Sequence, residues 1–315
     1  MKAVVVNSFD EIPTFQDFRE PEARAGEVIL TVNAAALSPI VKALASGKHY
    51  ASDGRVGFVP GVDGIGTDSD GRRFYFLFPV APFGSMAQIS LAARAMTVPV
   101  PEAVSSVQAA AVVTGALASW IAYSRRARLQ IGETVLIIGA TGASGSMAVQ
   151  TAKHFGAGKV IAVGRNEAKL GRLEADVKIT LDDNADEQLR EQFDQGVDVV
   201  LDFLWGEPAS RVLTAATKDR PSRLGQARIR YVQLGTMAGD EIALGGNILR
   251  GSGLELMGSG IGSVAVTELL AGAGELLSAT HAAGFDTNYE SLPLSCFQEA
   301  WGGNPDVRYI LMPDQ

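Results

Sequence analysis

The sequence predicts an α/β protein: a doubly wound parallel sheet in the middle of the chain and a mostly β domain assembled from both of its ends. In the first hundred residues, short apolar runs are separated by Gly, Pro and Asp turns, and from Glu133 onward similar runs alternate with helical patterns. This alternation is typical of parallel sheets, whose strands are buried on both faces. A strand-like run returns at Val307–Met312. We therefore expect one domain from residues 1–115 and 260–315, and a second from residues 116–259.

Composition limits the functions that this chain can have. Its 315 residues are enough for two domains, and its net charge of −8 argues against nucleic acid or an anionic membrane as a partner. The one tight basic group, at 125–128, fits a helix end. A single cysteine, Cys296, excludes a disulfide within the chain and a zinc site built from several thiolates. The strand-like start and the short apolar stretch Ala109–Tyr123 predict a cytoplasmic protein.

Each half of the chain contains recognisable elements. In the first, we predict strands at Val4–Val6, Glu27–Val32 and Phe74–Phe78, then helices at Val107–Val113 and Ala116–Arg126. In the second, we predict strands at Thr134–Ile138, Val160–Val163, Val177–Thr180, Val197–Phe203, Tyr231–Leu234 and Leu254–Met257, with helices after the first three.

The strongest motif follows the first strand of the predicted parallel sheet. Thr134–Ile138 runs into a Gly-rich turn, Gly139–Gly145, which opens an amphipathic helix. Glycines let a backbone approach a pyrophosphate, and a helix N-terminus offers unpaired N–H groups and a favourable dipole. Ala140-x-Gly142-x-x-Gly145 is a variant of the Rossmann dinucleotide fingerprint, with Gly142 for close approach and Gly145 for helix packing. The alternative is a structural turn in some other α/β fold.

The end of the next strand bears on the choice of dinucleotide. An acidic residue there would hold the ribose 2′-OH of NAD, but this chain has Arg165, followed by Asn166. A guanidinium suits a 2′-phosphate, and Asn166 and Lys169 are near enough to help, so NADP(H) is expected. In the alternative, Arg165 is a solvated charge and Glu167 binds the ribose. Glu167 fits better in the first turn of a helix capped by Asn166.

Taken together, these motifs resemble the zinc-independent quinone oxidoreductase branch of the medium-chain dehydrogenase/reductase superfamily over nearly the whole chain. The landmarks that carry the resemblance, besides the Gly-rich turn, are 26–28 (GEV), 34–39 (AAALSP), 61–66 (GVDGIG), 132–136 (GETVL), 150–157, 198–202 (DVVLD) and 253–256 (GLEL). The resemblance implies a GroES-like catalytic domain, a Rossmann domain and a cleft at their junction. It also implies hydride transfer from NADPH to a quinone or an α,β-unsaturated carbonyl, and a homodimer.

The resemblance also places the positions where zinc-dependent relatives bind their catalytic metal. They align with Ser38, Val62 and Thr114, and two neutral hydroxyls and a valine do not make a credible zinc site. We therefore expect no metal, and an acceptor whose anion is delocalised rather than an alcohol. The branch often carries Asn and Asp where this chain has Ser38 and Val41.

The expected cofactor residues lie at the carboxyl ends of the parallel strands. They are Thr141, Gly142, Ala143, Ser144 and Gly145 for the pyrophosphate, Gly164, Arg165, Asn166 and Lys169 for the 2′-phosphate, and Phe203, Leu204, Gly235, Thr236, Gly258 and Ser259 around the nicotinamide.

The sequence leaves the identity of the proton donor open. Tyr50, His49 and bulk water are alternatives, because some enoyl reductases of the superfamily use a Tyr that ends a Gly-x-Tyr segment, and Gly47–Tyr50 is one residue longer. Three other functions are open too: a 2-alkenal reductase, an enoyl-thioester reductase and a non-catalytic NADPH-binding sensor. Trp205 is the aromatic residue expected at the cleft.

Overall fold

The computed structural model describes residues 1–218, 225–304 and 307–314. It divides into two compact units. Unit 1 comprises Met1–Gly115 and Thr267–Gln315, and unit 2 comprises Ala116–Val266.

In chain order the strands are β1 (Lys2–Val5), β2 (Thr14–Asp17), β3 (Glu27–Leu37), β4 (Asp63–Thr67), β5 (Arg73–Leu77), β6 (Ile89–Ala93), β7 (Thr97–Pro99), β8 (Thr134–Ile138), β9 (Lys159–Gly164), β10 (Val177–Thr180), β11 (Val199–Asp202), β12 (Ile229–Gln233), β13 (Leu254–Gly258), β14 (Tyr289–Pro293) and β15 (Arg308–Met312). The helices are α1 (Pro39–Ala45), α2 (Ser106–Ile121), α3 (Ala143–His154), α4 (Glu167–Gly171), α5 (Ala185–Gln195), α6 (Gly206–Thr217), α7 (Gly246–Gly251), α8 (Val266–Ala283) and α9 (Phe297–Gly302).

Unit 1 is built on a mostly antiparallel sheet in the order β14-β15-β3-β4-β5-β7, with β6 also paired to β3. β3 buries Val28, Leu30 and Val32, as the alternation of apolar residues predicts. β15 lies antiparallel to β3, so residues from both ends of the chain share one sheet. The core of unit 1 packs Leu30 with side chains such as Phe297 and Leu311.

Unit 2 is a parallel sheet in the order β10-β9-β8-β11-β12-β13. The chain moves outward from β8 to β10 and then returns to add β11 on the other side of β8. This reversal is the topological switch point at which doubly wound folds bind ligands. Val135, Leu136, Ile137 and Ile138 are fully buried, because helices cover both faces of the sheet.

Helix α2 corrects two predictions. The helices expected at Val107–Val113 and Ala116–Arg126 form one helix that continues through a π-helical turn to Ala127. Gly115 in its interior costs about 1 kcal/mol relative to Ala, and burial of the surrounding residues offsets this. At 22 residues and a mean hydropathy of 1.3, Ser106–Ala127 is long and apolar enough to cross a membrane, so the expectation based on its length was wrong. Because 67% of its most apolar stretch is buried inside the fold, it fits the core helix of a soluble protein.

Candidate functional site

The Gly-rich turn lies at the switch point, between β8 and α3. The N–H groups of Gly139 and Ala140 both donate to the carbonyl of Val163, at 2.9 and 3.0 Å, which ties the turn to β9. A Cβ on Gly145 would lie 2.1 Å from the carbonyl oxygen of Gly139, so only glycine lets α3 pack this closely. The packing role predicted for Gly145 is confirmed.

The mouth of this turn is open. A Cβ added at Gly142 would meet nothing closer than the Gly139 carbonyl oxygen, at 3.5 Å. Gly142 is the N-cap of α3, and no side chain caps the helix there within the described structure. The N–H groups of Ala143, Ser144 and Gly145 therefore occupy the first helical positions, where intrahelical partners are lacking and an anion is favoured. Thr141 lies beside Gly164, whose Cβ would be 2.8 Å from its methyl group.

The end of β9 lies one strand further along the sheet. Arg165 and Asn166 are exposed there, and the Asn166 Oδ1 accepts the backbone N–H of Lys169 at 3.0 Å. Asn166 thus caps α4 and Glu167 lies in its first turn, as predicted, and such a cap contributes about 1 kcal/mol. Arg165 precedes the helix with its side chain exposed to solvent, which suits a phosphate ligand.

Beyond the switch point, the loop after β11 is held by a buried carboxylate. Asp202 is fully buried, and its Oδ1 accepts the N–H groups of Leu204 at 2.8 Å and Trp205 at 3.0 Å. Its Oδ2 accepts the hydroxyl of Tyr231 at 2.6 Å. Burial raises the pKa of Asp202, although the three hydrogen bonds oppose that rise. Leu204, expected beside the nicotinamide, is held in place by this carboxylate, and Phe203 by donation of its N–H to the carbonyl of Ile138 at 3.2 Å.

The residues after β12 and β13 lie beside the same loop. A Cβ on Gly235 would be 2.7 Å from the carbonyl oxygen of Phe203, and the N–H of Ser259 donates to the backbone carbonyl of Gln233 at 2.8 Å. A cavity of about 320 Å³ opens at these strand ends. It is lined by Trp205, Gln233, Thr236, Asp240, Leu256, Met257 and Gly258. The structure thus brings Thr236 and Gly258 together in one cavity, and the sequence did not indicate Gln233 or Asp240.

Unit 1 contains a buried polar cluster that sequence reasoning missed. The hydroxyl of Tyr75 donates to Asp63 Oδ2 at 3.2 Å, and Thr114 and Arg308 also interact with this carboxylate. Burial raises the pKa of Asp63 to about 6, which the hydrogen bonds and the charge of Arg308 only partly oppose. Burial lowers the pKa of Arg308, whose Nε has no hydrogen-bond partner in the described structure. Asp63 lay within the GVDGIG landmark, and its charge in an apolar strand was the available signal.

The two proposed proton donors lie in an exposed turn of unit 1. Tyr50 is 73% exposed and its ring lies against His49, with centroids 4.2 Å apart. The Nδ1 of His49 accepts the N–H of Ala51 at 3.1 Å, and partial burial lowers the pKa of His49. A cavity of about 540 Å³ in unit 1 is lined by residues that include Ala51 and Val62. Among the described residues, neither His49 nor Tyr50 lines it.

Together, the doubly wound sheet, the glycine turn at its switch point and the separate antiparallel unit define a two-unit protein of the Rossmann dinucleotide-binding class. Residues 143–268 match a family model described as zinc-binding dehydrogenase. The chain is 26% identical to a probable NADPH-dependent quinone reductase, tdiC, of Emericella nidulans over 82% of this chain and 84% of that protein. It is 30% identical to 2-methylene-furan-3-one reductase of Solanum lycopersicum over 65% of this chain, but that match spans only 57% of the tomato protein.

The solved structures agree on the fold. Quinone oxidoreductase of Thermus thermophilus, whose structure was also determined with NADPH, superposes with a TM-score of 0.82 at 24% identity, covering 99% of this chain and 100% of that one. In sequence and in fold, the chain is similar to the quinone oxidoreductase-like branch of the medium-chain dehydrogenase/reductase superfamily.

Although the matching family model is named for zinc, the donor set at the aligned positions does not fit that metal. Val62 has no donor atom, and the hydroxyl of Thr114 is hydrogen-bonded to Asp63. The buried Ser38 Oγ is a neutral hydroxyl without a partner in the described structure. Within residues 1–218, 225–304 and 307–314, no group of three or more His, Cys, Asp or Glu side chains could hold a metal ion.

Proposed function

We propose that this protein is an NADPH-dependent reductase that transfers hydride to a quinone or an α,β-unsaturated carbonyl without zinc. The observation that carries the proposal is the open glycine turn at Gly142, followed by an exposed arginine at the end of the next strand. The two relatives named above, one for NADPH-dependent quinone reduction and one for reduction of a 2-methylene-furan-3-one, support the choice of acceptor. The zinc-free part of the proposal depends on the donor set at Ser38, Val62 and Thr114.

Unit 2 carries the proposed cofactor site. In this proposal the N–H groups of Ala143, Ser144 and Gly145 bind the pyrophosphate, because they are unpaired donors at the positive end of α3. Arg165 binds the 2′-phosphate through charge-assisted hydrogen bonds, with Asn166 and Lys169 beside it. The remaining proposed contacts surround the nicotinamide end of NADPH. They are Phe203, Leu204, Gly235, Thr236, Gly258 and Ser259.

When bound, NADPH supplies a hydride, and reduction of an enone is completed by one proton on the carbon next to the carbonyl. We propose His49 or Tyr50 as the source of this proton, with bulk water as the alternative. His49 can donate only while protonated, whereas Tyr50 would donate as a neutral phenol. The exposed turn that holds both residues makes exchange with solvent easy.

Titration of the purified protein with NADPH and NADH tests the cofactor, and loss of nicotinamide absorbance with a quinone or a simple enone tests the reaction. We expect tighter binding of NADPH and turnover with at least one acceptor. Tighter binding of NADH would contradict the role of Arg165. Tight NADPH binding without turnover across a broad acceptor panel would favour the non-catalytic sensor. A preference for 2-alkenals or enoyl thioesters within that panel would select one of those reductases.

We also propose that the enzyme is a cytoplasmic homodimer that pairs through unit 2. In the described part of the chain β13 pairs with β12 alone, and Leu256 on β13 is 36% exposed. An unpaired strand edge of this kind is a template for pairing with another chain. Light scattering of the purified protein tests the dimer, and cell fractionation tests the location.

A further inference from the structure

Trp205 has a backbone conformation that tryptophan rarely adopts. Its φ is +57° and its ψ is −158°. This region of conformational space belongs almost entirely to glycine, because a Cβ clashes with the backbone there. Strain of this kind persists only where the surroundings enforce it, and it occurs most often at functional sites.

The surroundings do enforce it. The buried carboxylate of Asp202 accepts the N–H groups of both Leu204 and Trp205. On the other side of Trp205, a Cβ on Gly206 would lie 2.6 Å from the carbonyl oxygen of Ala238, so the chain turns against a neighbouring loop with no space left. The indole therefore cannot be relocated by a small backbone shift.

Trp205 lies in the wall of the cavity at the ends of β11, β12 and β13. The ring packs edge-on against Tyr231, with centroids 6.4 Å apart, and it remains partly exposed. Trp205, Thr236 and Gly258 line the same space. A cavity of about 320 Å³ is large enough for part of a ligand but not for a whole dinucleotide.

The order of the strands indicates which part of the ligand would enter. Arg165 follows β9 and the glycine turn follows β8, while the cavity lies on the opposite side of β8, at β11 to β13. Leu204 connects the two regions, because a Cβ on Gly139 would lie 3.1 Å from its side chain. A dinucleotide with its 2′-phosphate at Arg165 and its pyrophosphate at the turn therefore extends its nicotinamide end toward Trp205.

We propose that Trp205 is a rigid contact for the nicotinamide and its ribose, and that Asp202 is the positioning residue that fixes it. This inference rests on the proposed function. In the simpler interpretation, Trp205 is a core aromatic residue whose contact with Tyr231 serves stability alone.

Energy transfer from tryptophan to bound NADPH tests the contact. The chain has three tryptophans, so Trp120→Phe and Trp301→Phe provide matched controls. We expect the sensitised NADPH emission to persist in both controls and to fall at least several-fold in Trp205→Phe, with saturation measured separately by nicotinamide absorbance. Undiminished sensitised emission in Trp205→Phe would overturn the proposal. If the unsubstituted protein binds no NADPH at all, the proposed function fails instead.

Two further variants separate binding from stability. Trp205→Gly and Trp205→Ala both remove the indole, but only Ala keeps the backbone strain, so we expect the Gly variant to melt at a higher temperature than the Ala variant. Both should bind NADPH about tenfold more weakly, while Trp205→Phe retains most of the affinity. Unchanged NADPH affinity in the Gly and Ala variants would assign Trp205 to stability alone.

Discussion

A methyl group added at Gly142 or at Gly145 separates the binding role of the glycine turn from its packing role. At Gly145 the added Cβ would lie 2.1 Å from the Gly139 carbonyl oxygen and 2.8 Å from the Ala140 Cα. Both atoms belong to the backbone, so β8 and α3 must move apart, at a cost of about 3 kcal/mol. Gly145→Ala should therefore lower the free energy of unfolding of the cofactor-free protein by that amount.

At Gly142 the same methyl group fits. The nearest atom lies 3.5 Å away, and a φ of −79° suits alanine. Alanine is a poorer N-cap than glycine by several tenths of a kcal/mol, and its stiffer unfolded chain returns a similar amount, so stability should change by less than about 1 kcal/mol. The methyl group projects into the open mouth of the turn, where we expect it to displace the pyrophosphate. We expect the affinity for NADPH to fall about tenfold, which corresponds to a loss of about 1.4 kcal/mol of binding free energy.

Urea unfolding without cofactor measures the stability term, and NADPH titration measures the binding term. Gly302→Ala is a control, because its Cβ would meet nothing within 4 Å. It should leave the NADPH affinity unchanged and, as a Gly→Ala change in a helix, raise the stability by no more than about 1 kcal/mol. The reasoning is refuted if Gly142→Ala binds NADPH as tightly as the unsubstituted protein, or if Gly145→Ala is equally stable.

Three further predictions concern charge and pH. Arg165→Gln should weaken NADPH binding by 10- to 100-fold, about 1.5–3 kcal/mol, and leave NADH binding unchanged; an equal loss for both coenzymes in calorimetry would contradict it. If His49 donates the proton, turnover should fall as pH rises through a pKa below 6.5, and His49→Asn, but not Tyr50→Phe, should abolish this dependence in rate–pH profiles. For Asp63 the folded pKa of about 6 exceeds the ordinary 3.8, so the folded state keeps its proton to higher pH. The contribution of Asp63 to the free energy of unfolding should therefore decrease between pH 3.8 and about 6, by on the order of 3 kcal/mol. In urea unfolding, Asp63→Asn should lack this dependence of stability on pH. The same dependence in both proteins would exclude the raised pKa of Asp63.

The parallel sheet was predictable because its strands are continuous apolar runs. These runs located β8, β10 and β13 within a residue or so, and the cap at Asn166 followed from local hydrogen-bond chemistry. The break expected near Gly115 was wrong, because burial of α2 outweighs the low helix propensity of glycine. Short strands such as β7 and β14 went unpredicted, since a few residues carry too little periodicity and their pairing partners are distant in sequence.

The candidate site was predictable in part. Gly142, Gly145 and Arg165 belong to a local motif that sequence spacing alone reveals. The positive φ of Trp205 was not predictable, because it depends on hydrogen bonds donated to the Asp202 carboxylate, whose other partner, Tyr231, lies on a different strand. The cluster around Asp63 likewise joins residues from β4, β5, α2 and β15, which only tertiary structure brings together.

The pairing of β15 with β3 has a consequence for the order of assembly during synthesis. The two strands are encoded on either side of the whole of unit 2, which is itself continuous in sequence. Unit 2 can therefore collapse on the ribosome while β3, which can already pair with β4 and β6, still lacks β15. Because contacts between distant segments form slowly, the exposed edge of β3 is the point at which a nascent chain is most open to chaperones or to mispairing.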